Sequence, residues 1–284
     1  MTSDRGVAVI TGGAGGMGLA TARIMGRDHH LVLSDVNAER LDRAVKDLAA
    51  EGIAAEPYVC DITDRDAVER LARHASSRGP VVAVVHTAGI SPQMGPAEAI
   101  IRINALGTIN VAEAFLAVAA EGFRLVNVAS MAAHMAPVLL MPERAYRYVF
   151  TDPQRLVAAM IRRCRMLPAS ARRGMAYSMS KHFVVWYSKR LAPRLGAMGG
   201  RVVSVSPGSF DTAMGRLEEQ SGAGAMLRFA ALKRFGRVEE IAELLAFCAS
   251  EKPGYLTGTD ILCDGGVVAG ITRKDMLALA RSRK

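Results

Sequence analysis

The sequence predicts an α/β fold built on a single doubly wound parallel sheet. From residue 7 onward, short runs of β-branched and aliphatic residues alternate with longer stretches that have helical spacing. The short runs are apolar on both faces, as strands are when helices cover both sides of their sheet. Repeated strand-then-helix order joins parallel strands through crossover helices. The predicted strands are 7–10, 31–34, 54–59, 81–85, 125–129, 202–206 and 260–263.

The stretches between these strands are long enough for the crossover helices. No linker rich in proline or serine and no internal repeat divides the 284 residues. Residues 1–284 are therefore predicted to form one domain. The predicted helices are 18–26, 37–50, 64–77, 104–120, 177–195 and 238–249.

One segment, 133–175, interrupts this alternation before the helix that begins near Tyr177. A structureless loop of that length is rare inside a domain. Asp152 can cap a helix that has Pro153 at its first position. We therefore predict a helical insertion whose apolar face covers either the mouth of a site, as a lid, or a second subunit, as an interface. That face comprises Leu156, Val157, Met160, Ile161 and Cys164.

The composition excludes several classes of protein. Half of the residues are apolar and 22% are charged, which argues against intrinsic disorder. No apolar run reaches the roughly 18 residues of a membrane span, and no signal peptide is visible. The cysteines are far apart and form no CxxC pair, so no metal site or disulfide framework is predicted and a cytoplasmic location is expected. They are Cys60, Cys164, Cys248 and Cys263.

The net charge of +9 is concentrated in two places, the insertion and a predicted basic C-terminal tail at 271–284. No aromatic residues alternate with the basic ones, so nucleic-acid binding is not predicted. A solvated helix face and a frayed tail account for these charges. A patch that attracts an acidic substrate group or partner is the alternative. The arginines of the insertion are Arg144, Arg147, Arg155, Arg162, Arg163, Arg165, Arg172 and Arg173.

A cluster of glycines from Gly12 to Gly18 follows the first predicted strand and precedes the first predicted helix. This is the strand–turn–helix context of the Rossmann fold, in which backbone N–H groups and a helix N-terminus bind a pyrophosphate. Asp35 ends the second strand, where a carboxylate accepts hydrogen bonds from ribose hydroxyls and repels a 2′-phosphate. Neither Gly15 nor Val36 offers a basic side chain for that phosphate. NAD is therefore predicted in preference to NADP.

The chain resembles the short-chain dehydrogenase/reductase family. The family's TGxxxGxG turn is matched by Thr11, Gly12, Gly16 and Gly18, and residues 86–89 (HTAG) stand where the family has Asn-Asn-Ala-Gly, so that Thr87 departs from the usual Asn. The resemblance implies four catalytic residues, Asn104, Ser130, Tyr177 and Lys181. The predicted cofactor-binding residues are Thr11, Gly12, Gly16, Met17, Gly18, Asp35, Asp61, Ile62, Ala88, Gly89, Tyr177, Lys181, Pro207, Gly208, Phe210 and Thr212.

The spacing of Tyr177 and Lys181 suits acid–base chemistry. An unperturbed tyrosine has a pKa of about 10, which is too high for a good base near neutrality. An ammonium four residues on lies on the same face of a helix, favours the phenolate and is expected to lower the pKa of Tyr177. Ser130 is expected to donate a hydrogen bond to the substrate oxygen. By family analogy, Asn104 would hold a water that links Lys181 to solvent.

These features predict an NAD-dependent oxidoreductase that interconverts a secondary alcohol and a ketone. The apolar insertion and the methionine-rich surroundings suggest a bulky, hydroxysteroid- or lipid-like small-molecule substrate. These methionines either pack adaptably or line a broad apolar pocket. They are Met131, Met135, Met141, Met175, Met179, Met214 and Met226. Family members form dimers or tetramers through long helices such as the one with Tyr177, so a homodimer or homotetramer is expected.

Two other functions remain open from the sequence. One is a catalytically silent NAD-binding sensor, and the other is an interaction protein that uses the arginine-rich insertion. His134 and His182 lie near the predicted catalytic residues, but no carboxylate is expected to orient either, so both are interpreted as structural.

Overall fold

Seven parallel strands form one sheet in the computed structural model, which describes residues 5–220, 223–272 and 274–275. The strand order is β3-β2-β1-β4-β5-β6-β7, so the direction of winding reverses between β1 and β4. Ligands of such sheets bind in the crevice at this reversal, beyond the carboxyl ends of the strands. The doubly wound α/β fold is confirmed. The strands are β1 Val7–Thr11, β2 His30–Asp35, β3 Ala55–Val59, β4 Val81–His86, β5 Ala119–Val128, β6 Arg201–Pro207 and β7 Thr259–Cys263.

Helices cover both faces of this sheet. Each predicted crossover helix is present, although three of them begin earlier than the sequence pattern indicated. The helices are α1 Gly16–Met25, α2 Ala38–Ala50, α3 Arg65–Ser76, α4 Ala97–Ile101, α5 Gly107–Leu116, α6 Ala132–Met135, α7 Glu143–Tyr146, α8 Pro153–Arg165, α9 Ala169–Gly196, α10 Ala213–Gln220, α11 Val238–Ala249 and α12 Val267–Gly270.

The two faces of the sheet bury separate apolar cores. Along β1, Val7 and Val9 belong to the core beneath α3, α5 and α9, whereas Ala8 and Ile10 belong to the core beneath α1, α2 and α11. Successive side chains of a strand point to opposite faces, so a strand apolar at every position serves both cores. The predicted strands are apolar at successive positions because each strand contributes side chains to both cores.

The helix predicted at 104–120 is wrong in its bounds, because α4 already begins at Ala97. A π-helical turn, Arg102–Leu106, joins α4 to α5, so the helix runs unbroken over Ala97–Leu116. By length and composition alone this helix could cross a membrane, with a mean hydropathy of 1.3. Within the fold, however, 78% of the 18-residue window that gives this hydropathy is buried, as in the core helix of a globular domain.

The insertion contributes three helices, α6 to α8, to the flank formed by α4 and α9. As predicted, the Asp152 side chain caps α8 by accepting a hydrogen bond from the N–H of Arg155, and Pro153 occupies the first turn. The predicted apolar face is buried in the same core as α5 and α9. Tyr146 of α7 is fully buried, and its hydroxyl donates to the carbonyl of Met179 at 3.2 Å.

The helix that carries Tyr177 begins at Ala169, eight residues before the predicted start. Residues 169–176 are mostly polar or small, so they lack the apolar periodicity that reveals a helix in a sequence. Of the predicted basic tail at 271–284, residues 273 and 276–284 lie outside the described residues.

Candidate active site

The glycine turn is packed too tightly for larger residues. Gly12 has a φ of +68°, and a Cβ there would lie 2.7 Å from the N of Ala88 and 2.8 Å from Oγ1 of Thr87. A Cβ at Gly18 would collide with the carbonyl oxygen of Gly12. The helix α1 begins directly after this turn, at Gly16, with its N-terminus toward the crevice. Such an N-terminus favours an anion.

Thr11 lies beneath the turn and not in the crevice. The residue is fully buried, and its hydroxyl lies 2.6 Å from Nδ1 of His86. Its carbonyl accepts hydrogen bonds from the N–H of Thr87 at 3.1 Å and from the Thr87 hydroxyl at 2.8 Å. Thr87 therefore ties the end of β4 to the end of β1, although it departs from the family's usual Asn.

The Asp35 carboxylate is part of the same turn. Its Oδ2 accepts a hydrogen bond from the N–H of Ala14 at 3.3 Å, and its Oδ1 accepts one from the N–H of Asn37 at 3.1 Å. A guanidinium is close as well, because Nη2 of Arg40 donates to the carbonyl of Ala14 at 3.2 Å. Sequence reasoning considered positions 15 and 36 for a basic side chain and missed Arg40. The signal was its place in the first turn of α2, three residues after the capping Asn37, whose side chain accepts a hydrogen bond from the Arg40 N–H.

Asp61 and Ile62 follow β3 and face the start of α5. Oδ1 of Asp61 accepts hydrogen bonds from the N–H and the hydroxyl of Thr63, both at 2.8 Å. Ile62 is buried, and a Cβ at Gly107 would lie 2.5 Å from its Cδ1. The Asn110 amide donates to the carbonyl of Ile62 at 2.9 Å. These contacts fix the wall of the crevice on the β3 side.

Gly89 lies where Asn104 and Lys181 come together. A Cβ at Gly89 would be 3.1 Å from Oδ1 of Asn104 and 3.3 Å from Nζ of Lys181. The Asn104 amide accepts from the N–H of Ile90 at 2.9 Å and donates to the Ile90 carbonyl at 3.0 Å and to Oγ of Ser180 at 3.2 Å. Asn104 thus joins the loop after β4 to α9. It does so from a π-helical turn, a feature often found at functional sites.

Lys181 connects the tyrosine helix with the end of β5. Its side chain is buried, its Nζ donates to the carbonyl of Val128 at 2.9 Å, and the same nitrogen lies 6.0 Å from the centre of the Tyr177 ring. Ser130 follows Val128 by two residues and is 8% exposed, and its Oγ accepts from the N–H of Ala132 at 3.2 Å. Three residues predicted as catalytic, Asn104, Tyr177 and Lys181, therefore lie close together, and the fourth, Ser130, follows two residues after the Val128 carbonyl that Lys181 contacts.

The segment after β6 closes the other side of the crevice. The N–H of Gly208 donates to the carbonyl of Cys263 at 2.9 Å, and a Cβ at Gly208 would lie 2.6 Å from Cα of Asp264. Thr212 reaches back to the glycine turn, since its Cγ2 would be 3.1 Å from a Cβ at Gly16. Phe210 is buried and forms a β-bridge with Gly236. The predicted cofactor-binding residues of the glycine turn and those at or after the ends of β2, β3, β4 and β6 therefore lie along the carboxyl edge of the sheet, whereas Thr11 is buried beneath it.

Two family profiles match almost the whole chain. One, described as short chain dehydrogenase, matches residues 6–142, and the other, described as enoyl-(acyl carrier protein) reductase, matches residues 156–268. The chain belongs to the short-chain dehydrogenase/reductase family. The stretch between the two matches, 143–155, lies inside the insertion.

Similar members of the family cover nearly all of the chain. The short-chain dehydrogenase/reductase bsc3 of Alternaria brassicicola is 29% identical over 92% of this chain and 95% of its own. The 3-oxoacyl-[acyl-carrier-protein] reductase FabG of Thermotoga maritima is 28% identical over 92% of this chain and 97% of its own. Among solved structures, actinorhodin polyketide ketoreductase with NADPH has a TM-score of 0.75 at 23% identity and covers 93% of this chain and 98% of its own.

Five of the seven methionines considered in this short-chain dehydrogenase/reductase fall into two groups. Met131 and Met135 of the α6 region pack with Phe229 against Met226, beside the crevice. Met141 and Met179 are buried in the core beneath α9. The first group can line an apolar pocket, whereas the second contributes to packing alone.

The expectation that no carboxylate orients His134 or His182 is wrong. Nε2 of His134 lies 2.9 Å from Oδ2 of Asp260, whose side chain is 4% exposed, and Nε2 of His182 lies 3.6 Å from Oε1 of Glu143. Asp260 also accepts from Ser206 at 3.0 Å. His134 and Asp260 are 126 residues apart, and only the position of β7 in the sheet brings them together. No cluster of metal ligands occurs among the described residues.

Proposed function

We propose that this chain is an NAD-dependent oxidoreductase that interconverts a secondary alcohol and a ketone. The observation that carries the proposal is the position of the Lys181 amine, 6.0 Å from the Tyr177 ring and bonded to the strand end that leads to Ser130. A phenol, an amine and a hydroxyl at one strand edge are what acid–base catalysis at a carbinol carbon requires.

Tyr177 is the acid–base residue in this proposal. It takes the proton of the alcohol during oxidation and returns a proton to the ketone oxygen during reduction. The buried Lys181 ammonium stabilises the phenolate, because opposite charges favour each other strongly away from water. Ser130 donates a hydrogen bond to the substrate oxygen as charge develops there.

Asn104 acts on this site by holding its neighbours. Its amide bonds to both backbone groups of Ile90 and to Ser180, one residue before Lys181. It therefore sets the distance between Gly89 and the Lys181 amine. The amide in this arrangement binds protein groups, which gives Asn104 a role in addition to the water-holding role expected from the family.

The glycine turn fits a dinucleotide cofactor. Gly12 and Gly18 leave no room for a Cβ, so backbone N–H groups and the N-terminus of α1 can approach a pyrophosphate. When bound, a nicotinamide cofactor supplies the hydride acceptor or donor. We propose that Asp35 receives the adenosine ribose hydroxyls and that Thr212, Gly208, Lys181 and Tyr177 hold the nicotinamide end.

The preference for NAD rests on the Asp35 carboxylate, which would repel a 2′-phosphate. Arg40 opposes this preference, because its guanidinium is held on the carbonyl of Ala14, the residue whose N–H binds Asp35. Asp35 is fixed by two backbone N–H groups, whereas Arg40 is exposed and makes one backbone contact. We therefore propose that the Asp35 carboxylate determines the preference for NAD and that Arg40 weakens this preference.

We propose a bulky hydrophobic alcohol or ketone as the substrate. The cluster of Met131, Met135, Met226 and Phe229 supports this choice, because flexible apolar side chains adapt to a large apolar body. The gluconate 5-dehydrogenase of Gluconobacter oxydans, 27% identical to this chain, is named for a polyhydroxylated acid, which such a cluster would not favour.

We further propose a cytoplasmic homo-oligomer. The insertion already covers the flank of α4 and α9, where Tyr146 and the apolar face of α8 are buried. Contacts between subunits would then use the outer surface of the insertion or another part of the fold. We propose on this basis that the insertion packs against α9 and stabilises it, and that it does not act as a lid.

The proposed function is tested by following NADH absorbance with a panel of secondary alcohols and ketones and with both NAD and NADP. Turnover of hydrophobic members with NAD is expected. Binding of NADH without turnover of any panel member would instead indicate a cofactor sensor. Deletion of 140–165 should change the oligomeric mass or the stability more than the KM for substrate.

A further inference from the structure

A chain of buried hydrogen bonds leads from the glycine turn to Asn104. Oγ1 of Thr11 lies 2.6 Å from Nδ1 of His86, and Nε2 of His86 lies 3.1 Å from Oγ1 of Thr108. The Thr108 hydroxyl in turn donates to the backbone carbonyl of Asn104 at 2.7 Å. All four residues are buried. The chain crosses from β1 through β4 to the start of α5.

The direction of this chain follows from proton counting. A hydroxyl has one proton, and the Asn104 carbonyl can only accept, so the Thr108 proton points to Asn104. His86 must then donate its Nε2–H to Thr108, which leaves Nδ1 as an acceptor. The hydroxyl of Thr11 therefore donates to Nδ1. We assign the Nε2–H tautomer to His86 on these grounds.

The charge state of His86 agrees with this assignment. Complete burial, and next the positive charge of Lys181, lower the pKa of His86 to about 3. The imidazole is therefore neutral at physiological pH and carries one N–H. A neutral ring can accept at one nitrogen and donate at the other, as this chain of hydrogen bonds requires.

The far end of the chain controls the geometry at Lys181. Asn104 lies in the π-helical turn, where Gly107 N–H bonds to the carbonyl of Arg102. The Thr108 hydroxyl holds the carbonyl of Asn104 within that turn, while the Asn104 amide holds Ile90 and Ser180. A shift of this turn would change how closely Gly89 and Asn104 approach Nζ of Lys181.

We propose that His86 is a positioning residue that couples the glycine turn to the Asn104 turn beside Lys181. The proposal rests on the proposed function, since it assigns the turn to the cofactor and Lys181 to catalysis. Buried hydrogen bonds in series polarise one another, so a cofactor that orders the turn also orders the Asn104 end. His86 would act through Thr108 and Asn104 without touching the substrate.

A matched set of variants tests this coupling. Thr108→Val removes one buried hydroxyl from the chain, and Thr108→Ser keeps it. Ser188→Ala is the control, because the Ser188 hydroxyl also donates to the carbonyl four residues earlier, accepts from an amide (Asn127) and lies on α9, outside the chain. Thermal unfolding should show similar stability losses for Thr108→Val and Ser188→Ala.

The kinetic result distinguishes a positioning role from a structural one. With a substrate from the panel, we expect Thr108→Val to lower kcat about tenfold, while the Kd for NADH rises less than about threefold. Thr108→Ser should restore at least half of the wild-type kcat, and Ser188→Ala should keep it. Equal kcat values for Thr108→Val and Ser188→Ala would overturn the coupling.

A second readout does not require turnover. In protein labelled with nitrogen-15 histidine, the spectrum of His86 should show the Nε2–H tautomer, and its N–H signal should shift when NADH is added. The shift should persist in Thr108→Ser and in Ser188→Ala, because neither substitution breaks the hydrogen bond from Thr11 at the glycine turn to His86. A wild type that turns over no substrate contradicts the proposed function, whereas an Nδ1–H tautomer or a signal indifferent to bound NADH contradicts the coupling.

Discussion

The two sides of the crevice are assembled in different ways. On the β1–β3 side, the carboxylate of Asp35 meets the glycine turn only 21 residues away in the chain. On the β4–β7 side, Asn104 meets Ser180 across 76 residues, and His134 meets Asp260 across 126. The first side is a local motif, and the second exists only when the whole sheet and α9 are packed. Substitutions on the first side should change cofactor binding, whereas substitution of the acid–base group on the second side should change turnover.

The largest effect is expected from Tyr177→Phe, a substitution on the β4–β7 side of the crevice. Loss of the phenol removes the acid–base group, which should lower kcat about 10³-fold and leave the Kd for NADH within about twofold. Tyr58→Phe, on β3 and outside the crevice, serves as the control. Residual turnover above about a tenth of wild type would show that another group moves the proton.

Gly12→Ala probes the local side of the comparison. A Cβ would meet the backbone of Ala88 in a left-handed conformation, so the free energy of unfolding should fall by about 3 kcal/mol and the Kd for NADH should rise more than about tenfold. Gly122→Ala has the same positive φ but open space around the Cβ. It should cost only about 1 kcal/mol and leave NADH binding unchanged. Equal effects of the two variants would contradict a packed phosphate turn.

His86→Asn tests how strongly the two sides are joined. Because the pKa of His86 is held near 3, below its ordinary value, the unfolded chain binds a proton that the folded chain does not. The free energy of unfolding should therefore fall as the pH drops, by about 2 kcal/mol from pH ~7 to pH ~5 through this residue alone. Urea unfolding at a series of pH values should show that the free energy of unfolding changes less with pH in His86→Asn than in the wild type. An equal pH dependence of the two proteins would mean that folding does not lower the pKa of His86.

The smallest effects concern the choice of cofactor. Asp35→Ala should reduce the preference for NAD over NADP about tenfold, since a charged hydrogen-bond acceptor is lost and a repulsive charge disappears. Arg40→Ala should increase that preference about threefold. Asp42→Ala is the control, because Asp42 is exposed and lies on α2 like Arg40. This substitution should leave the preference for NAD over NADP unchanged. The ratio of kcat/KM for the two cofactors measures each effect, and an increased preference in Asp35→Ala would reverse the assignment.

Local chemistry explains which parts of the molecule could be predicted. The seven strands, the glycine turn and the Asp152 cap are each determined by neighbouring residues, and the sequence pattern therefore identified them. The early start of α9 was missed because residues 169–176 are mostly small or polar and mostly exposed, so they show no apolar periodicity. The carboxylates beside His134 and His182 were missed because contacts between distant segments leave no spacing to detect. Arg40 was missed because it lies outside the motif residues. His86 lies within the HTAG motif, but its role was missed because its partners, Thr11 and Thr108, lie on other elements.

A crystal structure of the chain with bound NADH tests the central claim most directly. We expect the nicotinamide ring to lie beside the Tyr177 hydroxyl, with the Lys181 amine on the ribose and the Ser130 hydroxyl facing the same side of the ring. A ring bound elsewhere, or those three groups separated around an NADH that occupies the glycine turn, would contradict it.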